Sequence, residues 1–194
     1  MSAPHASGPV ASGPEPGRKL RVATASLAGC FGCHMSLLDI DERILRLVDL
    51  VELDRTPLTD IKTLGRCDLG LIEGGVANAE NVEVLRAFRR NCRVLVALGA
   101  CAVTGGIPAM RNNVPLAECL DEAFVYGMGL ANSGVPDDPE LPLLLSQVHP
   151  IHEVVRVDYF LPGCPPDADA IWSLLTAVLE GRPLTLPAEQ LRYD

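Results

Sequence analysis

Aromatic side chains are scarce in this chain: four Phe, three Tyr and one Trp among 194 residues. Any core must therefore be aliphatic. Positive charge is also sparse, with 16 Lys and Arg against 25 Asp and Glu, a net charge of −9. The cations are scattered, with one short cluster at Arg89 and Arg90, whereas a nucleic-acid binder carries a basic patch. Nucleic acid is not an expected partner. The acidic balance favours solubility and a complementary protein partner. No window holds the roughly 18 apolar residues that a spanning helix needs. No apolar stretch near the N-terminus reads as a secretory signal, and no twin-arginine export motif occurs there. A cytoplasmic protein without a membrane span is expected. A G-x-G-x-x-G loop of the dinucleotide-binding kind is missing too.

What is present is a hydrophobic content of 48% in a length that suits one domain. Such a chain buries roughly 70% of its unfolded surface, so it needs neither disulfides nor metals to make a core. Residues 1–18 are rich in Pro, Gly, Ser and Ala and read as a disordered arm. Residues 19–194 read as a single domain, with no internal repeat.

Apolar patterning alternates between strand and helix. Strands are expected over residues 20–26, 68–75, 93–101 and 153–164. Helices are expected over residues 34–51, 78–91, 114–124 and 167–181, the first running into strand-like residues 50–53. Asn78 is a natural N-cap. Residues 126–142 form a long Gly/Pro-rich connection. The strands are continuous apolar runs, as strands covered on both faces must be. The expected fold is α/β, a doubly wound, mainly parallel sheet with helices on both faces.

Seven cysteines remain to be placed. An odd count in a reducing compartment favours free thiols and metal ligands over structural disulfides. Cys30 and Cys33 follow the first strand, Cys101 follows "RVLVALGA", and Cys164 follows "VDYFLPG". In an open parallel sheet the carboxyl ends of the strands share one edge, where ligand sites form. These four thiols should meet there. Cys67 and Cys92 precede strands and belong at the opposite edge, and Cys119 sits within a helix. Gly29, Gly32, Gly163 and Pro165 flank the four. Glycine permits close backbone approach, and Pro165-Pro166 keeps the chain out of a helix until Asp167. Backbone N–H groups in such loops can donate to cluster sulfurs. Four thiolates suit an iron–sulfur cluster or zinc. The C-x2-C pair by itself also matches a thiol–disulfide oxidoreductase using Cys30 and Cys33.

Other residues carry less. Glu73, at the same edge, has either a proton or loop-fixing role beside the cysteines, or simply binds the N–H groups of Gly75 and Val76. His34 reads as a helix cap, His149 and His152 as surface loop residues, and Trp172 as a core residue.

"AGCFGCHMSLLD", "LIEGGV", "ALGACAVTGGIP" and "LPGCPPDAD", in that order, resemble the small subunit of nickel–iron hydrogenases over the whole chain after the arm. The resemblance implies a flavodoxin-like fold and one 4Fe-4S cluster on Cys30, Cys33, Cys101 and Cys164. The nickel–iron centre would lie in a separate large subunit, so this chain would carry no hydrogen-activating site. The related cluster subunit of respiratory NADH:quinone oxidoreductase has adjacent cysteines where Phe31-Gly32 intervene here. Membrane-linked hydrogenase relatives have their last two ligands closer together. Periplasmic hydrogenase small subunits carry an export signal and a C-terminal region with two further clusters. The short, one-cluster form resembles that of soluble, bidirectional NAD-reducing enzymes. Its implied partners are the large subunit, an iron–sulfur subunit with further clusters, and a diaphorase subunit bearing FMN and reducing NAD.

Overall fold

A computed structural model describes residues 18–130 and 134–183. Residues 1–17 of the expected arm, and residues 184–194, lie outside the described range. Seven strands occur among the described residues: β1 (Leu20–Ser26), β2 (Val51–Leu53), β3 (Cys67–Glu73), β4 (Val76–Asn78), β5 (Cys92–Leu98), β6 (Leu144–His149) and β7 (Tyr159–Leu161). Five of them form a parallel sheet in the order β2-β1-β3-β5-β7. The chain steps outward from β1 to β2, then crosses back to β3 and continues the other way. That reversal makes a switch point between β1 and β3, as in flavodoxin-type sheets.

Period-two alternation explains why the strands read as unbroken apolar runs. Leu69 and Leu71 of β3 pack with Val94, Val96 and Leu98 of β5 on one face. Ile72 packs with Leu95 and Ala97 on the other. Helices α1 (Gly32–Leu38) and α6 (Ala168–Leu179) cover the first face through Leu37, Ile171 and Leu174. Helix α3 (Ala79–Asn91) covers the second through Leu85 and Phe88. Burying a side chain such as Phe88 contributes about 1.5–3 kcal/mol. The Asn78 side chain accepts the Asn81 N–H at 2.8 Å and caps α3. Glu80 in its first turn and Arg89 and Arg90 in its last complement the helix dipole. Asp167 caps α6 in the same way, through the Asp169 N–H.

Several expectations need correction. The helix expected over residues 34–51 is two helices, α1 and α2 (Arg43–Leu50). Asp41 takes a left-handed φ of 55° between them. Apolar spacing persists across the break, so the pattern alone hides it. β2 follows at once. The strand expected to reach Cys101 stops at Leu98, because Gly99 (φ 82°) turns the chain into α4 (Gly99–Thr104). The strand expected over residues 153–164 is reduced to β7. Val154, Val155 and Val157 still pack against the core, but from a loop. β4 and β6 form an antiparallel pair outside the main sheet, and no strand was expected there. Half of β6 is exposed and it buries only Val148 fully, so it lacks an apolar signature. His149 belongs to β6 rather than a loop, and bonds Glu153 at 2.6 Å. Helix α5 (Leu116–Phe124) holds Cys119 as expected. Trp172 is only partly buried, with the Arg43 guanidinium 5.6 Å from its ring centroid, at the rim between α6 and α2.

Candidate metal centre

Parallel strands send their carboxyl ends to one edge, and the ends of β1, β3, β5 and β7 each feed a turn that carries a thiol or a glycine. β1 leads through Gly29 and Cys30 into α1, which holds Cys33. β5 leads into α4, which holds Cys101, and β7 leads to Gly163 and Cys164. Cys30, Cys33, Cys101 and Cys164 line one cavity of about 60 Å³. Gly29, Gly32, Gly163 and Pro165 line it with them. Gly74 and Ala100, not singled out in the sequence, line it as well. Cys67 and Cys92 stand at the opposite edge, paired in register as the first residues of β3 and β5.

The space around the sulfurs depends on absent side chains. A Cβ on Gly99 would lie 2.3 Å from Cys33 Sγ, and one on Gly106 would lie 2.9 Å from Cys101 Sγ. Both glycines also have positive φ, at 82° and 50°. The Ala100 N–H donates to the Gly163 carbonyl at 2.8 Å and ties the Cys101 helix to the Cys164 turn.

Backbone donors reach two sulfurs. The Gly32 N–H donates to Cys30 Sγ at 3.4 Å. Burial pushes the Cys101 thiol up, and the Ile107 N–H offsets part of that. Burial, then the nearby Glu73 carboxylate, pushes the Cys33 thiol far up. Metal coordination supplies the positive charge that ionises such a thiol. Among the described residues, no three His, Cys, Asp or Glu side chains close around a single ion. Four thiols spread around one cavity suit a centre of several metal atoms better than one zinc.

One of the two readings of Glu73 fails, and His34 differs from expectation. The Gly75 N–H goes to the Ala28 carbonyl at 2.8 Å, not to Glu73. Glu73, 2% exposed, accepts the Cys33 N–H at Oε2 over 3.0 Å and meets His34 Nδ1 at Oε1 over 2.6 Å. Burial opposes its charge. The His34 hydrogen bond and attraction, with donors from Ser26 and Cys33, outweigh burial and hold its carboxyl below the usual range. His34 is no exposed cap: it is 1% exposed, and its Nε2 meets Thr24 Oγ1 at 2.7 Å. Phe31 stacks flat on the His34 ring, with centroids 4.6 Å apart and planes at 4°. Polar residues at inward strand positions, Thr24 in β1 and Glu73 ending β3, were the available signal.

Fold and site together define a doubly wound α/β protein with a thiol quartet beside its switch point. Over residues 30–178 the chain matches the family described as NADH ubiquinone oxidoreductase, 20 Kd subunit, and it belongs to that family. It is 51% identical over 180 residues to the NAD-reducing hydrogenase HoxS subunit delta of Cupriavidus necator, covering 91% of this chain and 86% of that protein. It is 34% identical over 177 residues to one of the subunits of the F420-non-reducing hydrogenase of Methanothermobacter marburgensis, covering 89% of this chain and 58% of that protein's length. The crystal structure of a NAD+-reducing [NiFe]-hydrogenase in the H2-reduced state contains a chain of 63% identity and TM-score 0.89, matched over 91% of this chain and all of that one.

Proposed function

We propose that this chain is the electron-transferring small subunit of a cytoplasmic nickel–iron hydrogenase that reduces NAD. Cys30, Cys33, Cys101 and Cys164 would hold one 4Fe-4S cluster. When bound, such a cluster accepts and passes single electrons. The observation that carries the reading is the meeting of those thiols around one cavity, in a chain closely similar to subunits of NAD-reducing hydrogenases.

The chain's own part is to bind, insulate and aim. Its loops keep side chains out of the sulfur space at Gly99 and Gly106, and its amides donate to thiol sulfurs. The large subunit, with the nickel–iron centre, would cover the thiol edge. Ile107 and Met110, just beyond Cys101, are 70% and 66% exposed and would be buried there. Electrons would leave toward iron–sulfur and FMN-bearing diaphorase subunits that reduce NAD. For the whole complex the reaction balances as H2 + NAD+ giving NADH + H+. Among the described residues, no helix is long and apolar enough to cross a membrane. We take residues 19–194 to form one domain.

Hydrogen-dependent NAD reduction by the assembled complex tests this directly. NADH formation that disappears in a Cys101→Ser complex is expected. Reduction of another carrier, with NAD untouched, would contradict the assigned destination. NADH formation at the parent rate in the variant would contradict the electron-carrying role.

A further inference from the structure

A string of buried polar groups leaves the thiol cavity and crosses the molecule. Glu73 holds the Cys33 N–H on one oxygen and His34 Nδ1 on the other. His34 Nε2 meets Thr24 Oγ1 at 2.7 Å, Thr24 Oγ1 meets Thr56 Oγ1 at 2.6 Å, and Thr56 Oγ1 accepts the Leu58 N–H at 3.3 Å. Thr24, His34, Thr56 and Glu73 are each no more than 3% exposed. Buried polar groups cost about 1–3 kcal/mol when unpaired, and all four are paired in this string. Leu58 N–H donates to Thr56. With the single His34 proton on Nδ1, the Thr56 hydroxyl donates to Thr24, the Thr24 hydroxyl to His34 Nε2 and His34 Nδ1–H to Glu73, and every dipole points its positive end toward the carboxylate. The far end opens on a surface cleft of about 450 Å³ that Thr24 and Thr56 line.

We propose that Thr24, His34 and Glu73 are positioning residues that fix the Cys33 amide and its electrostatic surroundings, Glu73 from the wall of the thiol cavity and His34 and Thr24 from behind it. This rests on the cluster reading above. Two features make His34 the pivot. Its ring face carries Phe31, which has a left-handed φ of 69° inside the C-x2-C loop, a conformation costing about 1–3 kcal/mol for a residue with a side chain. Its ring edge carries Glu73. Through the first contact it holds the loop between Cys30 and Cys33, and through the second the Cys33 N–H. A carboxylate beside Cys33 disfavours added electrons at any centre that thiol holds, and so lowers its reduction potential.

The test uses the assembled complex, with iron content and the midpoint potential of the cluster signal read by electron paramagnetic resonance. Thr24 has no contact with a cysteine in the string, which makes it the informative position. Thr24→Val keeps the shape and removes the hydroxyl. Thr24→Ser keeps the hydroxyl and removes a methyl. The expected result is a displaced midpoint or altered signal in Thr24→Val and parent behaviour in Thr24→Ser. Glu73→Gln should raise the midpoint by about 59 mV or more, tenfold in the one-electron equilibrium. Parent behaviour in Thr24→Val overturns the proposal, whatever Thr24→Ser does. So does equal iron loss in Thr24→Ser and Thr24→Val, since packing alone would then be at work. A parent complex with no iron bound to this chain overturns the cluster reading, and this inference with it.

Discussion

Cys67 and Cys92 open β3 and β5 side by side in register, while Cys33 and Cys101 stand beyond the far ends of the same strands' sheet, in α1 and α4. The residue type is the same at both edges, and burial raises the thiols at both, Cys33 and Cys101 included; the space around the sulfurs differs. At the entry edge, burial, with Asp54 nearby, pushes Cys67 up to about 11. Burial and the neighbouring Cys67 push Cys92 up to about 12. Strand packing closes on these sulfurs, so they serve as small apolar side chains. At the exit edge, glycine-bearing turns leave room around four sulfurs, and no neighbouring strand fills it. A cysteine is made available for a metal by the turn that follows its strand, more than by the strand itself.

Paired glycine substitutions probe that contrast, and the largest effect is expected at the exit edge. Gly99→Ala would put a methyl 2.3 Å from Cys33 Sγ at a left-handed position. The assembled complex should lose this chain's iron, measured by metal analysis of the anaerobically isolated protein. At the entry edge, a Cβ on Gly70 would lie 2.8 Å from Cys92 Sγ and 2.9 Å from Leu95 Cδ1. Gly70→Ala should cost about 1–3 kcal/mol by overpacking, seen as a lower Tm, with iron retained. Iron lost equally in both variants would erase the distinction between the edges.

A smaller effect is expected from charge at the entry edge. Asp68 takes the Arg18 guanidinium at 2.7 Å and the Arg21 N–H at 2.9 Å. Burial opposes its charge, but these donors, with Arg93 nearby, hold its carboxyl below the usual range. A group whose folded pKa is lowered stabilises the fold above its unfolded value, near pH 4 for Asp. That stabilisation is lost as pH falls through the folded value. Asp68→Asn should cost about 1 kcal/mol at neutral pH and flatten the acid limb of stability below pH 4. An acid limb identical to the parent's would show that Asp68 contributes nothing there.

The sheet was legible because its strands are apolar runs long enough to need cover on both faces, and the four cysteines follow from where those runs end. Asn78 was legible as a cap because capping is local chemistry. What escaped depends on partners distant in sequence. The break at Asp41 leaves the apolar spacing intact, so nothing local marks it. β4 and β6 pair only with each other and bury little. His34 looks like a cap until Thr24 and Glu73 arrive from two strands, within hydrogen-bond reach of either ring nitrogen. Trp172 sits on an apolar helix, but at a rim that only the placement of α2 reveals.

Iron bound by this chain in the assembled complex, compared between Cys164→Ser and Cys92→Ser, is the most direct measurement. The expected result is a loss of about four irons in Cys164→Ser and none in Cys92→Ser. Equal iron in both, or a loss confined to Cys92→Ser, would contradict a cluster held at the exit edge of the sheet.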